Sequence, residues 1–433
     1  MRHQSSDPAT TAERGDPMSY CVATYRCYDE TADFAKKAAG IAVGLTVGSW
    51  TELPEARKAA MQPYLGRVLD VQEHRSPDGE RYGDLTIAYP DVNFSRDLPA
   101  LLVTVFGKLS MDGKIKLIDL KFSDAFLSAF PGPRFGIEGV RELVGVHDRP
   151  LLMSIFKSVI GHDRAGLVEQ FARQAQGGVD LIKDDEILFE NPLTPISVRV
   201  PACMDVVRQT YEQTGQTVLY AVNLTGPTSG LVDRAREAVS LGANALLFNV
   251  LAYGLDVLHE LSSHPDIQVP IAAHPAMSGA FYPSRYYGIA ASVLLGKLMR
   301  LAGADLVLFP SPYGSVVMPL EENLAIRHAL VTTDGNADYR SAESPDGLSL
   351  RTSFPVPSAG IHPGLVPWIL RDFGHDVVVN AGGGVHGHPM GAAAGGRAFR
   401  QAIDATMQGV RLADYAASHP ELQAAIDAWG VKE

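Results

Sequence analysis

Beyond Pro150 the sequence repeats one unit: a short apolar run, a polar turn, and a helical stretch ending near Gly or Pro. The apolar runs fall at 151–157, 179–185, 218–224, 245–250, 269–274, 306–310, 354–360 and 377–381. Continuous apolar strands separated by helices are the mark of a parallel sheet covered on both faces. Eight of them over about 230 residues predict a closed α/β architecture, the (β/α)8 TIM barrel. An open doubly wound sheet is the alternative that the same pattern allows.

The chain has 433 residues, more than such a barrel needs. Between Ser19 and Asp148 strands and helices mix without βα alternation: 21–25 and 83–89 alternate like strands, 30–46 carries an Ala/Val/Leu helical face, and 100–109 is a further apolar stretch. This predicts an N-terminal α+β domain of ferredoxin-like type. A loop rich in Pro and Gly (Pro131, Gly132, Pro133, Gly136, Gly139) and an amphipathic segment at 137–144 lead into the barrel. The expected division is a disordered tail at 1–17, the α+β domain at 18–148, and the barrel with C-terminal helices at 149–433.

Composition narrows the function. The net charge is −12 and no long basic run occurs, which argues against nucleic acid or an anionic membrane as partner. Cys21, Cys27 and Cys203 form no CxxC pair, so neither a disulfide framework nor a zinc knuckle is indicated, and a reducing cytoplasm fits. The polar first 17 residues lack an apolar export core, and no apolar run approaches the roughly 18 residues of a membrane span.

In a barrel the active site lies at the C-terminal ends of the strands, and those ends are polar here. The runs end in Lys157, Lys183-Asp184-Asp185-Glu186, Asn223, His274, Ser358-Ala359-Gly360, and Gly382-Gly383-Gly384 followed by His386-Gly387-His388. Lys183 and Asp185, two apart, share a strand face, and Glu186 can curl toward the same axis. Their carboxylates suit a hard cation such as Mg²⁺, and a neutral lysine amine can take up CO₂ as a carbamate, giving a third oxygen ligand. A plain ion network of the same residues is the alternative. Glycines after strand 8, opposite Ser358 and Gly360, suit a phosphate held by backbone N–H groups at Gly382 and Gly383, although most glycine clusters are turns. His386 and His388 read as local hydrogen bonding or substrate contact rather than metal ligation. Lys157 reads as an acid/base or electrostatic group, whereas Lys108 alone would pass as a surface charge.

Taken together these residues resemble a known family. GGVDLIKDDE (177–186) is similar to the activation motif of ribulose bisphosphate carboxylase (RuBisCO), in which the lysine is carbamylated and binds Mg²⁺ with the Asp and Glu. Ser49-Trp50-Thr51, Phe156-Lys157, His274, the PSAGIH of 357–362 and the GGGVHGHP of 382–389 follow in the family's order. Departures from true carboxylases are specific. Val159 stands where the family has a second lysine, the loop 310–315 lacks a mobile lysine, Gly44 replaces a glutamate, and Pro275 replaces an arginine. What remains resembles the RuBisCO-like proteins, and among them the enolases of methionine salvage, through GLTVGSWT (44–51), TVFGKLS (104–110), GKIKLIDL (113–120), LLMSIFK (151–157) and HPAMSGAF (274–281).

The resemblance implies Mg²⁺-dependent enolisation of a phosphorylated diketone, 2,3-diketo-5-methylthiopentyl 1-phosphate, and not CO₂ fixation. It implies Lys183 (as carbamate), Asp185 and Glu186 as metal ligands, and Lys108, Lys157 and His274 as catalytic residues. Ser358, Gly360, Gly382 and Gly383 are left for the phosphate. Lys108 becomes the expected base, supplied across a homodimer in which one subunit's N-terminal domain covers the other's barrel mouth. Rival expectations are decarboxylation of a phosphorylated β-keto sugar acid, isomerisation of a methylthioribulose phosphate, or a phosphate-ligand binding protein that does no chemistry.

Overall fold

The computed structural model describes residues 19–48, 54–332 and 350–432. The tail at 1–17 and the Ser49-Trp50-Thr51 motif lie outside the described residues. The N-terminal sheet is built around β1 (Tyr20–Tyr28), where Cys21, Ala23, Tyr25 and Cys27 are fully buried and the alternate residues, buried Val22 excepted, are only partly covered. It pairs antiparallel with β3 (Arg81–Pro90) and β4 (Ile115–Lys121), and β3 pairs with β2 (Arg67–Arg75). The order β4-β1-β3-β2, with helices between β1 and β2 and between β3 and β4, is ferredoxin-like as expected. The first helix, Phe34–Gly44, starts at Asp33, whose side chain accepts from the Lys36 N–H, and buries Phe34, Ala38, Ile41 and Ala42. The helix between β3 and β4, Leu98–Leu102, runs into a wider π-helical turn, Val103–Gly107, that delivers Lys108.

The barrel contains all eight expected strands: β5 (Leu151–Phe156), β6 (Leu181–Asp184), β7 (Leu219–Asn223), β8 (Ala245–Phe248), β9 (Ile271–Ala273), β11 (Leu306–Pro310), β12 (Phe354–Ser358) and β13 (Val378–Ala381). They are parallel, in the order β12-β11-β9-β8-β7-β6-β5-β13. Asn380 Nδ2 donates to Ser358 Oγ at 2.8 Å, bridging the two ends of the series. Six of the eight strands end one or two residues earlier than the sequence pattern suggested, β11 and β13 ending where expected, so Lys157, Asp185 and His274 stand just past the ladder.

Alternation along the strands settles which side chains enter the barrel. Met153, Leu181, Ala221, Leu247, Ala272, Leu308, Val356 and Val378 form an apolar interior plug. Two residues further along, on the same face, come Ile155, Lys183, Asn223, Asn249, His274, Pro310, Ser358 and Asn380. The plug closes the bottom of the barrel, and the next layer is where its chemistry begins.

One element belongs to both units. β10 (Gly288–Ile289), in the chain following β9, pairs parallel with β4 and adds a fifth strand to the N-terminal sheet. Gly288 has φ +86, and a Cβ there would stand 1.8 Å from the Phe281 carbonyl oxygen, so this strap requires glycine. No helix among the described residues is long and apolar enough to cross a membrane.

Candidate active site at the barrel mouth

Lys183 emerges from β6 fully buried, its ammonium 3.6 Å from Glu186 Oε2 and 3.1 Å from the Asp184 carbonyl oxygen. Asp184, on the opposite face, turns outward. It pairs with fully buried Arg199 at 3.2 Å and accepts from the Tyr220 hydroxyl at 2.7 Å and the Asn223 N–H at 2.9 Å. The four-residue cluster therefore splits by strand alternation. Asp184 is a structural ion pair, while Lys183, Asp185 and Glu186 face the mouth.

Lys157, past the end of β5, has no acidic sequence neighbour, yet its ammonium lies 2.9 Å from Asp185 Oδ2 and 3.4 Å from Glu186 Oε1. The bend after Phe156 that aims it is held by His386, whose Nε2 donates to the Ile155 carbonyl at 2.6 Å, and by Gln170, which donates to the Lys157 carbonyl. His388 likewise donates to the Glu421 carbonyl at 2.9 Å. Both histidines do the local bonding work expected of them. His274 places Nε2 3.7 Å from Glu186 Oε2, while its Nδ1 accepts from the Ala276 N–H at 3.2 Å. That acceptor role fixes the tautomer with the proton on Nε2, facing the site.

The electrostatics follow from burial. Desolvation lowers the Lys183 amine to about 8, helped by the like charge of Lys157 and opposed by Glu186. Burial pushes the Glu186 carboxyl up, but Lys183 and Asp185 outweigh it and hold it at about 2. Asp185 is raised, by burial first and then by Glu186. Burial, with Lys183 and Lys157 nearby, drives His274 down to about 3. Burial also acts to lower Lys157, and its bond to Asp185 together with the two carboxylate charges reverses this, leaving it above its ordinary value. At neutral pH the site therefore holds a neutral imidazole N–H, a fixed ammonium, and a lysine poised to lose its proton.

A cavity of about 370 Å³ joins these groups to the expected phosphate site: Lys157, Lys183, Glu186 and His274 line it together with Ser358, Gly360, Gly382 and Gly383. Gly360 has φ +71, and a Cβ there would stand 2.5 Å from the Ser315 nitrogen, so the loops after β11 and β12 meet only because this residue is glycine. The Ser358 hydroxyl donates to the Val356 carbonyl at 2.9 Å and must rotate to reach a ligand. Pro275 lines the same cavity, and Val159 is buried.

Lys108 is the one expected site residue that the single chain does not bring to the mouth. It is exposed and lines a different cavity of about 580 Å³, with Lys37, Gly44 and Met111 of the N-terminal domain. Two residues that sequence reasoning passed over are Asn249 and Asn380. Asn249 Nδ2 donates to the Glu186 carbonyl at 3.1 Å and to Thr225 Oγ1 at 2.7 Å. With Asn223, which donates to the carbonyls of Asp185, Glu186 and Leu188, it fastens the loop that carries the carboxylates. A lone Asn closing an apolar strand, as in VVVN and LLFN, was the signal available.

Comparison with known proteins agrees with this geometry. The family profile of the ribulose bisphosphate carboxylase large chain matches twice, its N-terminal domain at residues 17–127 and its catalytic domain at residues 136–429. A protein of Geobacillus kaustophilus named 2,3-diketo-5-methylthiopentyl-1-phosphate enolase is 55% identical over 424 residues, 96% of this chain and 99% of the relative. The crystal structure of a RuBisCO-like protein from Alicyclobacillus acidocaldarius superposes with a TM-score of 0.85 at 49% identity, covering 95% of this chain and 100% of that one. A dimeric archaeal RuBisCO from Hyperthermus butylicus gives a TM-score of 0.82 at 29% identity, covering 97% and 98%. The chain belongs to the RuBisCO large-chain family, on the side of its RuBisCO-like members.

Proposed function

We propose that this protein enolises 2,3-diketo-5-methylthiopentyl 1-phosphate, the reaction after which its 55% identical relative is named. The observation that carries the reading is the single cavity in which a carboxylate-lysine pole faces a glycine-serine pole. The first suits a cation beside carbonyl oxygens and the second a phosphate.

Whether the residues fit a divalent cation turns on Lys183. Among the described residues no three His, Cys, Asp or Glu side chains converge to hold a metal. Asp185 and Glu186 supply two carboxylates, so a third anionic ligand has to come from the buried amine between them. With its proton affinity lowered to about 8, that amine can attack CO₂. The new N–C bond gives a carbamate, and the displaced proton leaves to solvent. Lys183 as carbamate, Asp185 and Glu186 then form an all-oxygen set suited to Mg²⁺. When bound, Mg²⁺ supplies positive charge at the substrate's carbonyl oxygens.

The chain's own groups do the rest. Gly360, Gly382 and Gly383 let backbone approach the 1-phosphate, with the Ser358 hydroxyl rotating to donate. Lys157, kept protonated by Asp185 and Glu186, sits where negative charge develops on oxygen as the C1 proton leaves. His274 acts as a neutral donor through Nε2, because the low proton affinity that burial imposes makes it a poor base. The base is Lys108 from a second copy of the chain, whose N-terminal domain would cover this mouth. The active unit is therefore a homodimer. Its three cysteines are buried and free, in keeping with a reducing cytoplasm.

The test is turnover with Mg²⁺ and bicarbonate on three substrates: the diketone phosphate, a phosphorylated β-keto sugar acid, and methylthioribulose 1-phosphate. Rapid appearance of the conjugated enol from the first alone supports the reading. Preference for either of the others overturns it.

A further inference from the structure

Two asparagines in the barrel interior share an arrangement that nothing in the reaction chemistry requires. Asn249 and Asn380 are 4% and 1% exposed. Each commits its amide nitrogen to a group of the site, Asn249 to the Glu186 carbonyl and Thr225, Asn380 to Ser358 Oγ at the end of β12. In both, the amide oxygen is buried with no hydrogen-bond partner among the described residues. A buried amide oxygen without a donor destabilises a fold, and an apolar residue of similar size would fill either position without that cost. What the asparagine adds is the donor on its other end, and in both cases that donor is spent on a residue of the site.

The two donors serve different poles. Asn249 follows β8 and holds the backbone at Glu186, so it fixes where one carboxylate points. Asn380 lies on β13 and holds the hydroxyl of Ser358 on β12, across the seam where the two ends of the sheet meet. It is also the one of the pair that lines the cavity, beside Gly382 and Gly383. We propose that Asn249 and Asn380 are a divided pair of positioning residues, Asn249 setting the cation pole and Asn380 the phosphate pole, each with little influence on the other. Neither is a catalytic residue. The inference rests on the two-pole reading of the cavity but not on the identity of the substrate.

Binding measurements on the full-length protein test it, and turnover is not needed. Mn²⁺ affinity is read by electron paramagnetic resonance in the presence of bicarbonate, and inorganic phosphate affinity by calorimetry with Mg²⁺ present. Asn249→Ala is expected to weaken Mn²⁺ binding about tenfold or more, the scale typical of residues that orient metal ligands, and to leave phosphate affinity within about twofold. Asn380→Ala is expected to show the reverse. Asn249→Ser and Asn380→Ser, which restore a short donor, should recover part of each loss and also serve if an alanine variant fails to fold. Variants that move both constants together, or neither, overturn the proposal. A protein that fails to turn over the diketone phosphate and still shows the crossed pattern would refute the substrate and uphold the pair.

Discussion

Activation by CO₂ should follow the protonation of one buried amine, and the structure says how steeply. Carbamate forms only on neutral lysine. An ordinary lysine with a proton affinity near 10.4 is neutral in roughly one molecule in 2,500 at pH 7, whereas one at about 8 is neutral in roughly one in ten, a gain of about 250-fold in reactive amine. At fixed dissolved CO₂, the activation rate of metal-free protein should therefore rise about 50-fold between pH 6 and pH 8 and only about twofold more by pH 9. The assay incubates the protein with CO₂ at each pH, dilutes it into Mg²⁺ and substrate at one pH, and reads the initial rate. Lys157→Met supplies a second arm, with carbamate formation read by 13C NMR instead of turnover because Lys157 also serves the reaction. It removes a like charge that helps lower Lys183, so the profile should move to higher pH. A profile flat from pH 6 to 8, or one still climbing tenfold per unit beyond pH 9, would show that Lys183 is not the group that reacts.

Other consequences are equally direct. Mixing Lys108→Ala protein with Lys183→Ala protein should regain about a quarter of wild-type activity, since random exchange makes half the dimers hybrid and each hybrid carries one intact shared site; no recovery would place Lys108 and Lys183 in the same subunit's site. Arg199→Met leaves the buried Asp184 carboxylate without its cation and should lower unfolding stability by about 3–5 kcal/mol in urea titration, with a loss under about 1 kcal/mol contradicting the ion-pair account. Gly360→Ala forces a side chain into a left-handed position and against Ser315, and should raise KM about tenfold, equivalent to about 1.4 kcal/mol of loop strain, with unfolding stability reporting whether the strain is shared by the fold.

The barrel was legible because its strands are buried on both faces and so write themselves as apolar runs. The N-terminal sheet was less so. β2 is an edge strand whose residues are mostly exposed, leaving little alternation to read, and β10 is two residues long and exists only because β4 offers it an edge. At the site, residue types gave the carboxylates, lysines and glycines, and the RuBisCO resemblance gave their roles. What the sequence could not supply was direction. Adjacent Asp184 and Asp185 look alike in a string and do opposite jobs, because one strand residue turns each to a different face. Lys157 shows no acidic partner in its neighbourhood, since its two partners arrive from the next strand. Asn249 and Asn380 look like ordinary strand ends until their committed nitrogens and stranded oxygens are seen.

In the proposed reaction a carbamylated, Mg²⁺-loaded Lys183 site promotes loss of the C1 proton. Exchange of that proton with solvent deuterium, followed by NMR on 2,3-diketo-5-methylthiopentyl 1-phosphate, measures the step itself. Wild-type protein should exchange it only when Mg²⁺ and bicarbonate are both present, and Lys183→Ala should not exchange it under any of these conditions. Exchange by Lys183→Ala at the wild-type rate, or by wild-type protein freed of both Mg²⁺ and CO₂, would contradict it.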